Sequence, residues 1–436
     1  MNNKPSIFHL TVTRDGNLRE IINQSYERLE RFNFIRWRDK LLNLGNGYSV
    51  FLRFSNPRLL DERSNGLILV DFYPDDLSHL FEKLQPDISL KDLMGLLDRV
   101  NGFFTGFIIK DSRIILFRDH VGAIPFCYTM SGGSFTASSF RVMVDDAVCI
   151  PPGRITELID NSFRIYRWYK WRPFSGDYVE ELKNRLLNVF SRYLPEEFTL
   201  GFSGGLDSSI IAYVGSRLGR KIECITVGTE DSIDFTWAEE AAKLLGLRLK
   251  KIKLNEETVR NTIENVSEFL VNPSITDLSI SSIFYLVASN GSFDNVVSGQ
   301  GADEVFGGYH KYFRLGLEKG AKYVSGVMMK DLLEIYKTNS ERDYLVTMLK
   351  GKRLILPYLA KPLYDLAFII PVELKTGLKR DDRKILLKRV GQIMGIPERL
   401  LTKPKKAVQY SSKIQKIIIK KNIYHGTSSC KEHARI

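Results

Sequence analysis

From residue 175 onward, apolar strand-like runs and helical stripes follow one another in strict order, and that order limits what this part of the chain can become. In VEELKNRLLNVFSRYL the apolar residues fall at Val179, Leu182, Leu186, Val189, Phe190 and Tyr193, the spacing of a helix with one buried face. The pattern then predicts a strand over 198–202, a helix over 208–218, a strand over 222–227, a helix over 237–245 and a strand over 249–254. Strands separated by helices cannot pair as hairpins; they lie parallel, with the helices covering the sheet. An α/β fold on a parallel sheet is therefore expected, with added helices from about 310 onward.

The first 150 residues have a different texture. Runs rich in β-branched and aromatic residues occupy 49–54, 67–72, 103–109 and 114–117, and GFFTGFIIKDSRIILFRD reads as a hairpin turning between Lys110 and Arg113. This half is expected to be an antiparallel sheet domain. Pro151, Pro152 and Gly153 break the pattern, and the aromatic stretch Trp168 to Trp171 with Pro173 precedes the helical region. The boundary follows: one domain over 1–160 and a second over 175–436.

Of 436 residues, 44% are hydrophobic and 26% charged, a globular composition that excludes disorder and fibre. Lys and Arg number 63 against 51 Asp and Glu, a net +12, yet residues 351–436 alone hold 20 basic against 6 acidic residues. The excess belongs to that stretch, which argues against nucleic acid as a partner and for a local positive field near an anionic substrate. Cys127, Cys149, Cys224 and Cys430 form no CxxC pair, and the six histidines stand singly, so neither a zinc site nor a disulfide framework is expected. The N-terminal residues show no signal pattern and no run of 18 apolar residues occurs, so the reading is cytoplasmic, with no membrane partner.

Two glycine loops carry the chemistry. In FTLGFSGGLDSSIIAYVGSRLG, Ser203, Gly204 and Gly205 join a buried strand to a helix, so backbone amides and a helix N-terminus face an anion. Ser203 and Ser208 add hydroxyls, and Asp207 offers a ligand for magnesium. No GxxxxGK[ST] is present, which separates this loop from that of kinases and GTPases. The segment VVSGQGADEVFGGY then ends a predicted strand in a second turn, with Ser298, Gly299, Gln300, Asp303 and Glu304. A structural turn explains its glycines alone and leaves the acidic pair unexplained. Asp207 and Asp303 are candidates to share one Mg²⁺, a cation that favours hard, partly hydrated oxygen sites.

SGGLDS resembles the pyrophosphate loop of enzymes that cleave ATP to AMP and pyrophosphate. Together with SGQGADEVFGGY it resembles the asparagine synthetase family, and the similarity runs on through CITVGTEDSIDFTWAEEAAKLLGLRLKKIKL, NPSITDLS and KPKKAVQYSSKI. The resemblance implies an adenine nucleotide alpha hydrolase-like domain. It further implies that Val227 and Gly228 contact the adenine side, and that Lys405, in place of the lysine of the family's Arg-Pro-Lys signature, neutralises charge as an acyl-adenylate is attacked. VNGFFTGFIIKDSRIILFRDHVGAIPFCY is similar to the end of the family's glutaminase domain, with Arg118, Asp119 and Gly122 in matching places, implying an Ntn-hydrolase-like first domain.

Two departures redirect the expectation. The family's nucleophilic N-terminal cysteine is replaced by Met-Asn-Asn, with Ser6 behind Pro5, and the family's arginine and Asn-Gly-Glu contacts for glutamine are not recognisable, so glutamine hydrolysis is expected to be absent. Gln300 stands where the family usually has glutamate, and an amide cannot take up a proton. In KPKKAVQYSSKI, Pro-Lys-Lys-Ala with Gln-Tyr resembles more closely the asparagine synthetase domain-containing proteins, which have degenerate glutaminase halves.

The expected function is a ligase. ATP is held by Ser203, Gly204, Gly205, Ser208, Ser298 and Gly299; a carboxylate, most simply that of aspartate, is adenylated; ammonia or another amine then attacks, with Lys405 and Gln300 at the reacting centre. Alternatives are a nucleotide-binding regulatory or scaffold protein, a relative amidating or cyclising another carboxylate, and a tRNA-modifying pyrophosphatase, the last opposed by the sparse cysteines. Oligomeric state stays open, with a homodimer among the options.

Overall fold

Along Ile7–Arg14, Phe8, Leu10 and Val12 alternate onto the face that packs into the core, with the period of two of a strand, and Ile7, His9, Thr11 and Thr13 on the opposite face are buried as well. In the computed structural model, which describes residues 5–14, 18–44, 47–63, 66–159, 162–377, 382–403 and 408–424, this strand lies inside a six-stranded antiparallel sheet. Its order is Val148–Cys149, Cys127–Ser131, Ser134–Ser138, Ile7–Arg14, Tyr48–Ser55, Arg38–Leu44. A second six-stranded antiparallel sheet runs Ser162–Arg167, Arg154–Ile159, Arg113–Arg118, Phe103–Lys110, Gly66–Tyr73, Leu59–Arg63. The two face each other through Phe8, Leu10, Val12, Leu69, Phe107 and Leu116, and Phe8 meets Phe107 edge to face at 5.4 Å. The expected hairpin is present, Lys110 pairing with Arg113 across a turn whose Asp111 takes a positive φ of 51°.

This sandwich is one compact unit, Met1–Arg172 with Leu333–Glu341; the other is Pro173–Leu332 with Arg342–Ile436. The sequence pattern assigns 333–341 to the second domain, 175–436. The segment, with its π-helical stretch Tyr336–Ser340, belongs to the first unit because its side chains find partners there. The Arg118 guanidinium lies 5.3 Å from the Tyr336 ring, and Arg141 pairs with Glu341 at 2.9 Å. Arg118 is 1% exposed and donates to the carbonyls of Ile124, Ile150 and Gly122, while Asp119 accepts from the amides of Val121, Gly122 and Ala123. Arg118, Asp119 and Gly122 thus knot one loop of the sandwich.

The second unit opens with the helix Tyr178–Tyr193. Its cap, Asp177, accepts from the amide of Val179 at 2.8 Å, and Leu182, Leu186, Val189, Phe190 and Tyr193 are its buried stripe, as the spacing predicted. The sheet that follows has five parallel strands in the order Leu249–Lys253, Lys221–Gly228, Glu197–Gly201, Asn295–Val297, Arg353–Ile355. The chain steps outward in one direction from Glu197–Gly201, then returns to its other side with Asn295–Val297. That reversal opens a crevice at the carboxyl ends of these two strands, the place where open parallel sheets bind ligands. Among the described residues no helix is long and apolar enough to cross a membrane.

Candidate active site

Both glycine loops leave the sheet at that crevice. Ser203–Gly205 joins Glu197–Gly201 to the helix Leu206–Arg217, whose first amides have no partner within the helix; Gly205, at the cap position, brings no side chain to satisfy them. Gly204 takes φ +64°, and a Cβ there would lie 2.3 Å from the carbonyl oxygen of Trp237, so only glycine fits. Ser203 Oγ accepts from the Gly205 amide at 3.3 Å and stands 3.5 Å from Ser208 Oγ. Amides, hydroxyls and a helix N-terminus converge, the arrangement that holds phosphate.

The second loop touches the first. A Cβ on Gly299 would lie 2.8 Å from Asp207 Cβ, and the Ser298 hydroxyl accepts from the Gln300 amide at 3.3 Å. Tyr358, fully buried, donates to the Asp207 carbonyl at 3.0 Å. Val227 and Gly228 end the adjacent strand, and the Gly228 carbonyl accepts from the Leu254 amide at 2.9 Å.

The candidate metal pair is drawn together by a residue that sequence reading did not single out. Lys384 Nζ lies 2.5 Å from Asp207 Oδ1 and 2.6 Å from Asp303 Oδ1; the lysine is 3% exposed and the carboxylates 20% and 19%. Burial alone disfavours its charge, yet the two carboxylates outweigh it and hold the ammonium above the usual lysine range. Gly308 makes room, since a Cβ there would fall 1.8 Å from Asp303 Oδ1 and 2.4 Å from Lys384 Cε. As one cation among the 20 of residues 351–436, Lys384 carries no local signal; only the folded chain sets it between two aspartates. Two partly exposed carboxylates still suit a hard, hydrated cation, which would share their oxygens with the Lys384 ammonium.

Gln300 sits at the edge of a buried network. Its side chain hydrogen-bonds Asp343, whose carboxyl burial pushes above the usual range against the pull of Arg342. Arg342 pairs with Asp343 and with Asp277, both at 2.8 Å, and Asp277 closes a capping box with Ser274 on the helix Ile275–Asn290. Lys405 lies outside the described residues. Two positions earlier, Lys403 donates to the Trp237 carbonyl at 2.7 Å, the same oxygen that crowds Gly204. Burial lowers the Lys403 ammonium to about 8.

The chain matches the asparagine synthase family over residues 196–322 and 315–425, more than half its length, and it belongs to that family. A protein of Methanocaldococcus jannaschii assigned as glutamine-hydrolyzing asparagine synthetase 1 is 32% identical over 259 residues, 52% of this chain and 48% of that one. The glutamine-hydrolyzing root asparagine synthetase of Pisum sativum is 26% identical over 338 residues, 71% of this chain and 56% of that one. The chain spans about half the length of these curated relatives. Among solved structures, an NMN synthetase of Francisella tularensis overlays with a TM-score of 0.30 at 15% identity, covering 58% of this chain and 90% of that one.

Proposed function

We propose that the second unit is an ATP-dependent ligase that activates a carboxylate as its acyl-adenylate, releases pyrophosphate, and forms an amide with ammonia or another amine, most simply asparagine from aspartate. The observation that carries this reading is the convergence of Asp207 and Asp303 on Lys384 beneath the Ser203–Gly205 loop, at the crevice of a parallel sheet.

Ser203, Gly204, Gly205 and Ser208, with Ser298 and Gly299 opposite, bind the phosphates, and Val227 and Gly228 border the adenine. The substrate carboxylate attacks the α-phosphorus, and the helix N-terminus faces the charge that gathers on the departing pyrophosphate. Asp207 and Asp303 would hold Mg²⁺, which when bound would supply further neutralisation of that charge. Lys384 is a positioning residue that keeps these two carboxylates together, and Lys403 adds a cation beside the loop. Lys405 is assigned the oxyanion formed when the amine attacks. Gln300, tied to Asp343, orients rather than transfers protons. Positioning and charge neutralisation suffice, because the adenylate is already activated.

The amine is proposed to be ammonia rather than glutamine nitrogen. One thing supports this: the glutamine contacts of the family are unrecognisable in the first domain. A cytoplasmic setting is proposed along with it.

Pyrophosphate release from MgATP with a panel of carboxylic acids and ammonia tests the proposal. Aspartate-dependent release, lost in Asp207→Asn, is the expected result, with no glutamate formed from glutamine. ATP binding without release under any acceptor would favour a scaffold role, to which Gln300 is compatible.

A further inference from the structure

A cluster in the first unit takes no part in that chemistry. Cys127 and Cys149, 22 residues apart in sequence, stand directly opposite each other on adjacent antiparallel strands. One rung along, the Ile150 amide donates to the Phe126 carbonyl at 3.0 Å. That rung is hydrogen-bonded, so the Cys127/Cys149 rung is of the other kind, where facing Cα atoms approach to about 4.5 Å and side chains come closest. A separation of about 4.5 Å lies within the range that a disulfide spans. The two Sγ atoms are already 3.0 Å apart. Glu341 lies behind them, its oxygens 4.0 Å from Cys127 Sγ and 3.5 Å from Cys149 Sγ, fixed by the Arg141 amide at 3.0 Å and guanidinium at 2.9 Å.

We propose that Cys127 and Cys149 are an oxidisable dithiol that a peroxide converts to an intramolecular disulfide within the native fold. The two thiols are not equivalent. Cys127 is fully buried, and burial, the Cys149 hydrogen bond and the Glu341 charge hold it protonated. Cys149 is half-buried at the edge of the sheet and is the sulfur that meets the oxidant. Its thiolate attacks one peroxide oxygen, the O–O bond breaks, and the other oxygen leaves as water once protonated, giving a sulfenic acid. Cys127 sulfur then attacks the Cys149 sulfur. The S–S bond forms, the S–O bond breaks, and the hydroxyl departs with the Cys127 proton as a second water. Two electrons pass from the sulfurs to one peroxide, and two thiols with one peroxide become one disulfide and two waters.

The same three side chains place ligand atoms within 4.8 Å of one another, the minimum for a metal centre. Two observations favour the disulfide. Both Glu341 oxygens are engaged by Arg141, and sulfurs bound at about 2.3 Å to a tetrahedral zinc sit about 3.8 Å apart, wider than the separation found.

The test uses the full chain, purified under reductant, freed of it, and treated with hydrogen peroxide under native conditions. Remaining thiols are alkylated in denaturant before tryptic digestion, which cuts after Arg141 and so places Cys127 and Cys149 on different peptides. The expected product is those two peptides joined, two hydrogens lighter than their sum and separated by dithiothreitol, with Cys224 alkylated. Cys149→Ser should leave Cys127 alkylated, and Cys127→Ser should let Cys149 proceed to sulfinic acid. Oxidised protein in which Cys149 is sulfinic and Cys127 alkylated, or in which either is joined to Cys224 or Cys430, would overturn the proposal. So would stoichiometric zinc in the untreated protein, lost on oxidation, which would assign the cluster to a metal.

Discussion

Lys384 shows how much of a site can rest on one side chain. It neutralises two carboxylates that would otherwise repel each other across the two loops, and removing one member of a buried ionic group typically costs about 3–5 kcal/mol. Lys384→Met is therefore expected to lower the urea midpoint of the second unit and abolish pyrophosphate release. Lys403 gives a second handle at this scale. Its lowered value, about 8 against the usual 10.5, means the folded chain releases a proton that the unfolded chain retains up to higher pH. Stability should thus rise between about pH 8 and 10.5 and be indifferent to this group below 8. The cation beside the loop is present only below about 8, so ATP should bind more weakly as pH rises through that value. The NMR shift of the dimethylated Lys403 ammonium should titrate with a midpoint near 8, moving upward when ATP is added. The aspartates were legible because short glycine turns hold them at fixed positions next to strand ends. Lys384, and the meeting of Cys127 with Cys149, were not, since each depends on contacts across long stretches of chain that no local pattern records.

At the scale of elements, the parallel strands and helices fell within a few residues of where apolar spacing set them. The spacing implied a strand over 222–227 and the fold has Lys221–Gly228; a helix over 208–218 is Leu206–Arg217. Periodicity reports which face is buried, and that is what these elements share. It does not report a segment such as Leu333–Glu341, whose place is decided by Arg118 and Arg141. Glycines separate the two kinds of constraint. Gly308→Ala should cost activity outright, because its Cβ would displace Asp303 or Lys384. Gly326→Ala, exposed inside the helix Ala321–Ile335 with nothing near the added Cβ, should raise stability by about 1 kcal/mol and leave turnover unchanged. In the first unit, His9 is fully buried in the strand Ile7–Arg14, and burial with Arg28 and Arg53 lowers it to about 3. Folded His9 stays neutral while unfolded His9 takes a proton below about 6.5. The stability this group leaves intact above 6.5 is lost toward pH 3, by at most about 1.4 kcal/mol per unit. His9→Leu should flatten that part of the acid-unfolding profile.

For the molecule as a whole, the net +12 takes on a more specific meaning. Lys375 and Lys384 of the basic stretch are buried and Lys403 half-buried within the second unit, so part of the excess is built into the fold that carries the site rather than spread on a binding face. The antiparallel first unit and parallel second unit were both readable from texture alone, and the family assignment rests on the second. The central claim is that this unit joins a carboxylate to the α-phosphoryl group of ATP. Aspartate labelled with ¹⁸O in its side-chain carboxylate, turned over with MgATP and ammonia, tests it most directly. One labelled oxygen in AMP for each asparagine formed is the predicted result; unlabelled AMP, or ADP and phosphate as products, would contradict the account.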